Sequence, residues 1–121
     1  MAADIVKFED LEIWKEGMRL ARDIYKYLKH CKDFGLKDQM QRAAVSIPSN
    51  IAEGFERKSN KDFIRFLYIA MGSSAELRTQ IYLTQELGIL DGEITKDLLA
   101  RSRKLSAMIN KFIQIRIERF S

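Results

Sequence analysis

The side chains best spaced for chemistry stand in the stretch LKDQMQRAAVSIPSNIAEGFE, residues 36 to 56, where Gln39, Arg42, Ser46, Asn50 and Glu53 recur at three- and four-residue steps. On a helix this spacing makes one polar stripe, beside an apolar stripe of Leu36, Met40, Ala43, Ile47 and Ile51. A guanidinium, a carboxylate, two amides and a hydroxyl in a row suit hydrogen bonding and ion pairing; no reaction follows from them. Arg42 and Glu53 are eleven residues apart, about three turns, so they share a face without touching. If the row faces inward, each group needs a partner, because an unpaired buried charge costs several kcal/mol. Glu76 is the partner assigned to Arg42, with Ala43, Ala44, Gly72 and Ser73 small enough for their two segments to approach. The alternative is an ordinary solvated face.

The rest of the catalytic inventory is thin. His30 is the single histidine and has no Glu three residues before it, so the paired Glu-x-x-His sites of di-iron bundles are excluded. Zinc would lack Cys and His ligands. His30 and Cys31 are neighbours, which on a helix point about 100° apart, a poor Cys-His pair. Gly54, Gly72 and Gly88 are too far apart for a phosphate-cradling loop. The expectation is a protein without catalysis, metal or cofactor.

A chain of 121 residues fits one domain that buries roughly two-thirds of its unfolded surface and needs no covalent staple. It is 46% hydrophobic and 31% charged, with one Pro and six Gly, a composition poor in the turns of all-β folds. The lone Cys31 allows no internal bridge and suits a reducing compartment. With no charged start leading into an apolar run, and no uncharged stretch near the ~20 residues of a membrane span, a soluble cytoplasmic protein is expected.

The elements that carry these residues are four helices, at about residues 10–31, 36–57, 60–87 and 92–118. Leu11, Trp14, Met18, Ala21, Ile24 and Leu28 mark the inner face of the first, with Asp10 as N-cap and Phe8 as an apolar staple. The second contains Pro48, which removes a backbone hydrogen bond and predicts a kink near Ser46. Ser59 and Asp62 open the third, whose face is Phe63, Phe66, Leu67, Ala70, Met71, Ser74, Leu77, Ile81 and Thr84, and Gly88 stops it. Asp91 caps the fourth, with Ile94, Leu98, Leu105, Met108, Phe112 and Ile115 inward. Short loops make them an antiparallel up-and-down four-helix bundle.

Further apolar side chains remain: Ile64, Tyr68, Ala75, Tyr82 and Leu83 on the third helix, and Leu99, Ile109, Ile113 and Ile117 on the fourth. A helix apolar over much of its circumference must be covered on more than one side. The reading is a homo-oligomer interface at Ile64, Tyr68, Tyr82, Leu99, Ile109, Ile113 and Ile117; the alternative is a wide core with ordinary apolar leakage.

Two runs then carry a resemblance. The opening FEDLEIW, residues 8 to 14, and QMQRAAVSIPSNIAEGFERKSNKDFIRFLYIAMGSSAEL, residues 39 to 77, resemble the four-helix-bundle proteins encoded in intervening sequences of bacterial 23S ribosomal RNA genes. The specific part is RAAxSIxxNIAEG, here Arg42, Ala43, Ala44, Ser46, Ile47, Asn50, Ile51, Ala52, Glu53 and Gly54, followed by GSxxE, here Gly72, Ser73 and Glu76. That family is similar to the accessory protein of diversity-generating retroelements, a ring of five bundles with a basic surface that partners a reverse transcriptase and nucleic acid. The resemblance implies a homopentamer and points to RNA or DNA.

Charge gives this some support. The formal net charge is +4, and residues 101–121 hold Arg101, Arg103, Lys104, Lys111, Arg116 and Arg119 against Glu118 alone. Lys58, Lys61 and Arg65 would extend that surface, and a ring would repeat it. No sequence-reading module is present. A nucleic-acid-associated accessory protein is the first functional expectation, and a protein-binding adaptor with no nucleic-acid role is the second.

Overall fold

Three of the four helices in this chain begin where a capping side chain stands. In the computed structural model, which describes residues 5–120, the helices are α1 (Glu12–Tyr27), α2 (Phe34–Phe55), α3 (Asn60–Glu86) and α4 (Gly92–Phe120), and no strand occurs among the described residues. Asp33 accepts the Leu36 N–H at 3.1 Å, Ser59 that of Asp62 at 3.1 Å, and Asp91 that of Glu93 at 2.8 Å. Gly88, at φ 68°, closes α3: its N–H reaches the Gln85 carbonyl at 3.1 Å and the Ile89 N–H reaches that of Thr84 at 2.9 Å. A left-handed residue is needed there, which glycine supplies without strain.

The first helix is shorter than expected at both ends. Asp10 belongs to a separate 3-10 turn, Phe8–Asp10, and the N-cap is Leu11, with no side-chain bond. Phe8 holds that turn down by meeting Trp14 edge-on, centroids 5.5 Å apart. At the other end the bonds tighten, Cys31 N–H to the Leu28 carbonyl at 3.0 Å, so the helix stops at Tyr27.

Each helix packs against its two neighbours, α1 against α2 and α4, α3 against α2 and α4, while the backbones of the diagonal pairs stand farther apart. The result is a square bundle with its core along the axis. On α2 the whole expected apolar row is buried, with Met40, Ile47 and Ile51 fully enclosed. The helix runs unbroken across Pro48, which lies on α1: a Cβ added at Gly17 would sit 3.4 Å from the Pro48 Cδ.

On α4 the inward arc differs from expectation. Leu99, Ile109 and Ile113 are buried within this one chain, and Ile117 is half-buried against the same core, so they form no spare row for a second copy. Ile115, expected inside, is exposed. The reason is that Thr95 and Ser102 are buried with them, so the arc straddles the two apolar rows. On α1, Ile13, Gly17 and Leu20 are inside, Trp14 is half-buried and Met18 is exposed. On α3 the expected face is inside except for Met71, which like Ile64 is half-buried against the core, and Tyr68, Tyr82 and Leu83 are exposed.

Two buried glycines should respond oppositely to alanine. At Gly54 a Cβ would lie 2.7 Å from the Phe66 Cβ and 3.3 Å from the Phe63 carbonyl oxygen, so Gly54→Ala must push α2 and α3 apart and should cost about 1–3 kcal/mol. At Gly17 the nearest approach is ordinary contact, and Gly17→Ala should gain about 0.5–1 kcal/mol from the restricted unfolded chain. Denaturant unfolding of the pair checks both signs.

Candidate functional site

The polar row of α2 lies along its seam with α3, and only its middle is engaged there. Ser46 Oγ meets Ser73 Oγ at 2.8 Å, and Asn50 Nδ2 donates to both the Ser46 carbonyl and the Ser46 Oγ at 2.8 Å. Ser73 thus joins the two halves of the sequence pattern, a link the residue types alone did not reveal because serine is common on solvated faces. Gln39, Arg42, Glu53 and Glu76 are exposed. Arg42 bonds Asp38 at 2.9 Å, one turn earlier, and Glu53 is bonded by Arg57 at 2.9 Å. The pair assigned between Arg42 and Glu76 is therefore not made: a partner on the same helix keeps both charges hydrated. Gly72 is not the point of close approach either, since a Cβ there would meet nothing within 4 Å; Gly54 takes that part.

The basic candidates do not gather into one patch. Arg101 ties α4 to α1, 2.8 Å from Asp23 and 3.5 Å from Asp97. Arg22 also bonds Asp23, at 3.2 Å. Burial raises the Asp23 carboxyl pKa, but hydrogen bonds and charge from Arg101 and Arg22 outweigh it and hold the group below its ordinary value. Arg116 is half-buried, bonds Asn60 Oδ1 at 2.8 Å and lies 5.0 Å from the centroid of Phe63; burial lowers its pKa. Arg65 pairs with Asp62 at 3.7 Å and shares the Phe66 ring with Arg57, at 4.7 and 4.8 Å. Arg103 turns to α3 and bonds the Tyr82 hydroxyl. Lys58, Lys61, Lys104, Lys111 and Arg119 are exposed. A run close in sequence is thereby spread over three sides and one end of the bundle.

An apolar cleft opens between α1 and α2. It encloses about 460 Å³, walled by Phe8, Trp14, Met18, Tyr25, Val45, Pro48 and Ala52, with Arg22 and Ser49 as its polar members. Met18, Tyr25 and Val45 stay 45%, 48% and 41% exposed. Sequence reasoning missed it by placing Trp14 and Met18 in the core. The available signal was Gly17 against Pro48, which lets the inner halves of the helices meet while the larger side chains stand off. Among the described residues no three His, Cys, Asp or Glu side chains gather as metal ligands, and no helix is long and apolar enough to cross a membrane.

The Asp23–Arg101 bridge generates a pH-dependent prediction. Because the folded-state pKa is depressed, its stabilisation is present above the unfolded value of about 3.9 and is lost as pH falls through the folded one. Asp23→Asn should cost about 1 kcal/mol near neutral pH, with the gap to the native sequence closing below about pH 4. A gap unchanged in acid would assign the loss to packing instead.

No curated protein matches the chain. Among solved structures, a protein of unknown function from the S23 ribosomal protein family of Bacteroides thetaiotaomicron is similar, with a TM-score of 0.79 and 25% identity over 84% of this chain and 97% of that one. The family described as 23S rRNA-intervening sequence protein matches residues 9–111, from the 3-10 turn into the last third of α4. The chain belongs to the 23S rRNA-intervening sequence protein family.

Proposed function

We propose that the protein is a non-catalytic scaffold whose copies join through the α1–α2 cleft and whose assembled surface binds a partner. The cleft carries this reading: exposed Met18, Tyr25 and Val45 beside a half-buried Trp14 around an apolar hollow are what an interface centre uses and what a solitary bundle has no need to display. A complementary column stands on the neighbouring side of the square. Ile69, Glu76 and Leu83 follow at seven-residue steps beside Ser73, all exposed, and open space over Gly72 lets another backbone come close. Arg22 at the cleft and Glu76 in the column are opposite in charge.

Contact between unlike surfaces is head-to-tail. Surfaces on adjacent sides turn each copy relative to the last, which lets the series close into a ring, whereas opposite sides would extend it as a filament. The reading takes five copies, following the resemblance to the ring-forming accessory protein. This replaces the earlier interface residues of α4, which one chain already buries. The cleft walls offer aromatic and aliphatic groups, one Ser, and an Arg already bonded to Asp23, which serves docking and leaves no acid-base pair to do chemistry.

A second reading adds RNA or DNA as partner, because the exposed Lys104, Lys111 and Arg119 of α4 give a ring repeated cationic surface. Phosphate contacts weaken steeply with salt and apolar docking does not, so gel shifts at low and moderate salt separate the two partners.

Light scattering at micromolar concentration should give a mass near five times the 14.1 kDa of one chain. Met18→Glu should reduce it to the single chain without changing helicity, since that side chain is exposed in the bundle. A native protein that stays a stable single copy overturns the assembly.

A further inference from the structure

Most arginines of the bundle are matched with carboxylates: Arg19 with Glu16, Arg22 and Arg101 with Asp23, Arg42 with Asp38, Arg57 with Glu53 and Arg65 with Asp62. Arg78 and Arg103 are not; among the described residues neither makes an ion pair with an acid, and they stand together on the α3–α4 side. Arg78 Nη1 donates to Ser106 Oγ at 3.3 Å, while Arg103 Nη2 donates to the Tyr82 hydroxyl. Arg78 and Tyr82 are one turn apart on α3, and Arg103 and Ser106 three residues apart on α4, so each pair shares a helix face at about 5–6 Å. The two crossed hydrogen bonds therefore draw both guanidinium groups to one patch.

We propose that Arg78, Tyr82, Arg103 and Ser106 form a binding site for a phosphate group. Each guanidinium has five N–H donors in a planar fork and spends one of those bonds on a hydroxyl, leaving the rest to meet an anion. Tyr82 accepts from Arg103 through its oxygen and keeps its own O–H to donate. Ser106 is braced from below by Ser74 at 2.8 Å, which in turn meets Ser102 Oγ at 3.4 Å, both wholly buried, so the α4 side of the site is fixed in place. Donors that reach in from two helices suit a tetrahedral oxyanion, whose oxygens point in several directions, better than a planar carboxylate. Tyr82 and Arg103 are exposed, and Arg78 and Ser106 half-buried, so the site is open at the surface. The phosphate can belong to a nucleic-acid backbone or to a small phosphorylated compound. The site lies across the square from the cleft, so it stands or falls independently of self-assembly.

Titration with inorganic phosphate, followed by NMR of the arginine side chains and backbone amides, tests it. Saturable shifts are expected around residues 78, 82, 103 and 106, with sulfate competing and chloride at equal ionic strength not competing. Arg78→Gln with Arg103→Gln should weaken binding about tenfold or more, whereas Lys29→Gln, an exposed position after α1, should leave it unchanged. Arg103→Gln alone, at an exposed position, covers the case in which the double variant does not fold, and should itself weaken binding several-fold. A single-stranded oligonucleotide of about ten nucleotides that binds more tightly than inorganic phosphate, and loses that gain in the variants, identifies the backbone as the source; equal affinity identifies a small phosphorylated compound. Shifts that never saturate, that persist unchanged in Arg103→Gln, or that acetate reproduces as well, overturn the site.

Discussion

The bundle depends on how closely α2 and α3 pack at the end where they are joined. Gly54 is buried with its α-carbon facing Phe66 and Phe63, and no larger residue fits while that approach is kept. Phe63 meets Phe55 and Phe112 edge-on, with centroids 5.9 and 5.7 Å apart, so the same contact that sets the α2–α3 distance also seats the last turns of α4. Arg116 then closes over Phe63 and binds Asn60 at the start of α3. One missing Cβ thereby fixes three helices at one end of the molecule.

Away from that end the seams divide between two kinds of chemistry. Both seams of α3 contain paired hydroxyls, the half-buried Ser46 and Ser73 on one side and the buried Ser74 and Ser102 with the half-buried Ser106 on the other. Small hydroxyls let helices approach and satisfy one another, although the polar seam has a local cost at Gln80, whose buried Oε1 meets no donor among the described residues. The seams of α1 are apolar toward α2 and ionic toward α4, through Asp23 and Arg101. The α1–α2 seam is also the one that opens outward into a cleft, because Trp14, Met18 and Tyr25 are too large to follow Gly17 into contact with Pro48.

These features explain what was legible in the sequence. The α2 face could be read because its inward positions are all apolar at helical spacing, and the α3 face because Ser74 and Thr84 fall in phase with its apolar residues, although the buried Gln80 gives no signal. Ser59, Asp91 and Gly88 mark the starts of α3 and α4 and the end of α3, whereas the cap at Asp33, which starts α2 two residues earlier than expected, reads as part of the connection. The inward arc of α4 could not, since Thr95 and Ser102 lie within it and satisfy themselves against backbone or serine partners, so that hydrophobicity no longer marks the core. On α1, Gly17 has no side chain to register as buried, and the reading turned toward Trp14 and Met18. The basic tail showed the limit of counting charge along a chain: helical rotation sends Arg101, Arg103 and Arg116 toward three different partners. The α3–α4 hydroxyl and arginine cluster had no signature at all, because its four residues come from two helices and share no spacing.

The sequence pattern that carries the resemblance divides by what each position does. Ala43, Ala44, Ile47, Ile51 and Gly54 are buried and set the helix distance, and Ser46, Asn50 and Ser73 bond across or along the seam. A single bundle accounts for all of these. It gives no comparable account of Gly72, a residue that weakens a helix interior and here spares no contact, nor of Glu76, which is exposed one turn further along α3. The assembly proposed above supplies a use for both: open space over Gly72 admits a neighbouring backbone, and an exposed charge such as Glu76 fixes the register of that approach without demanding burial.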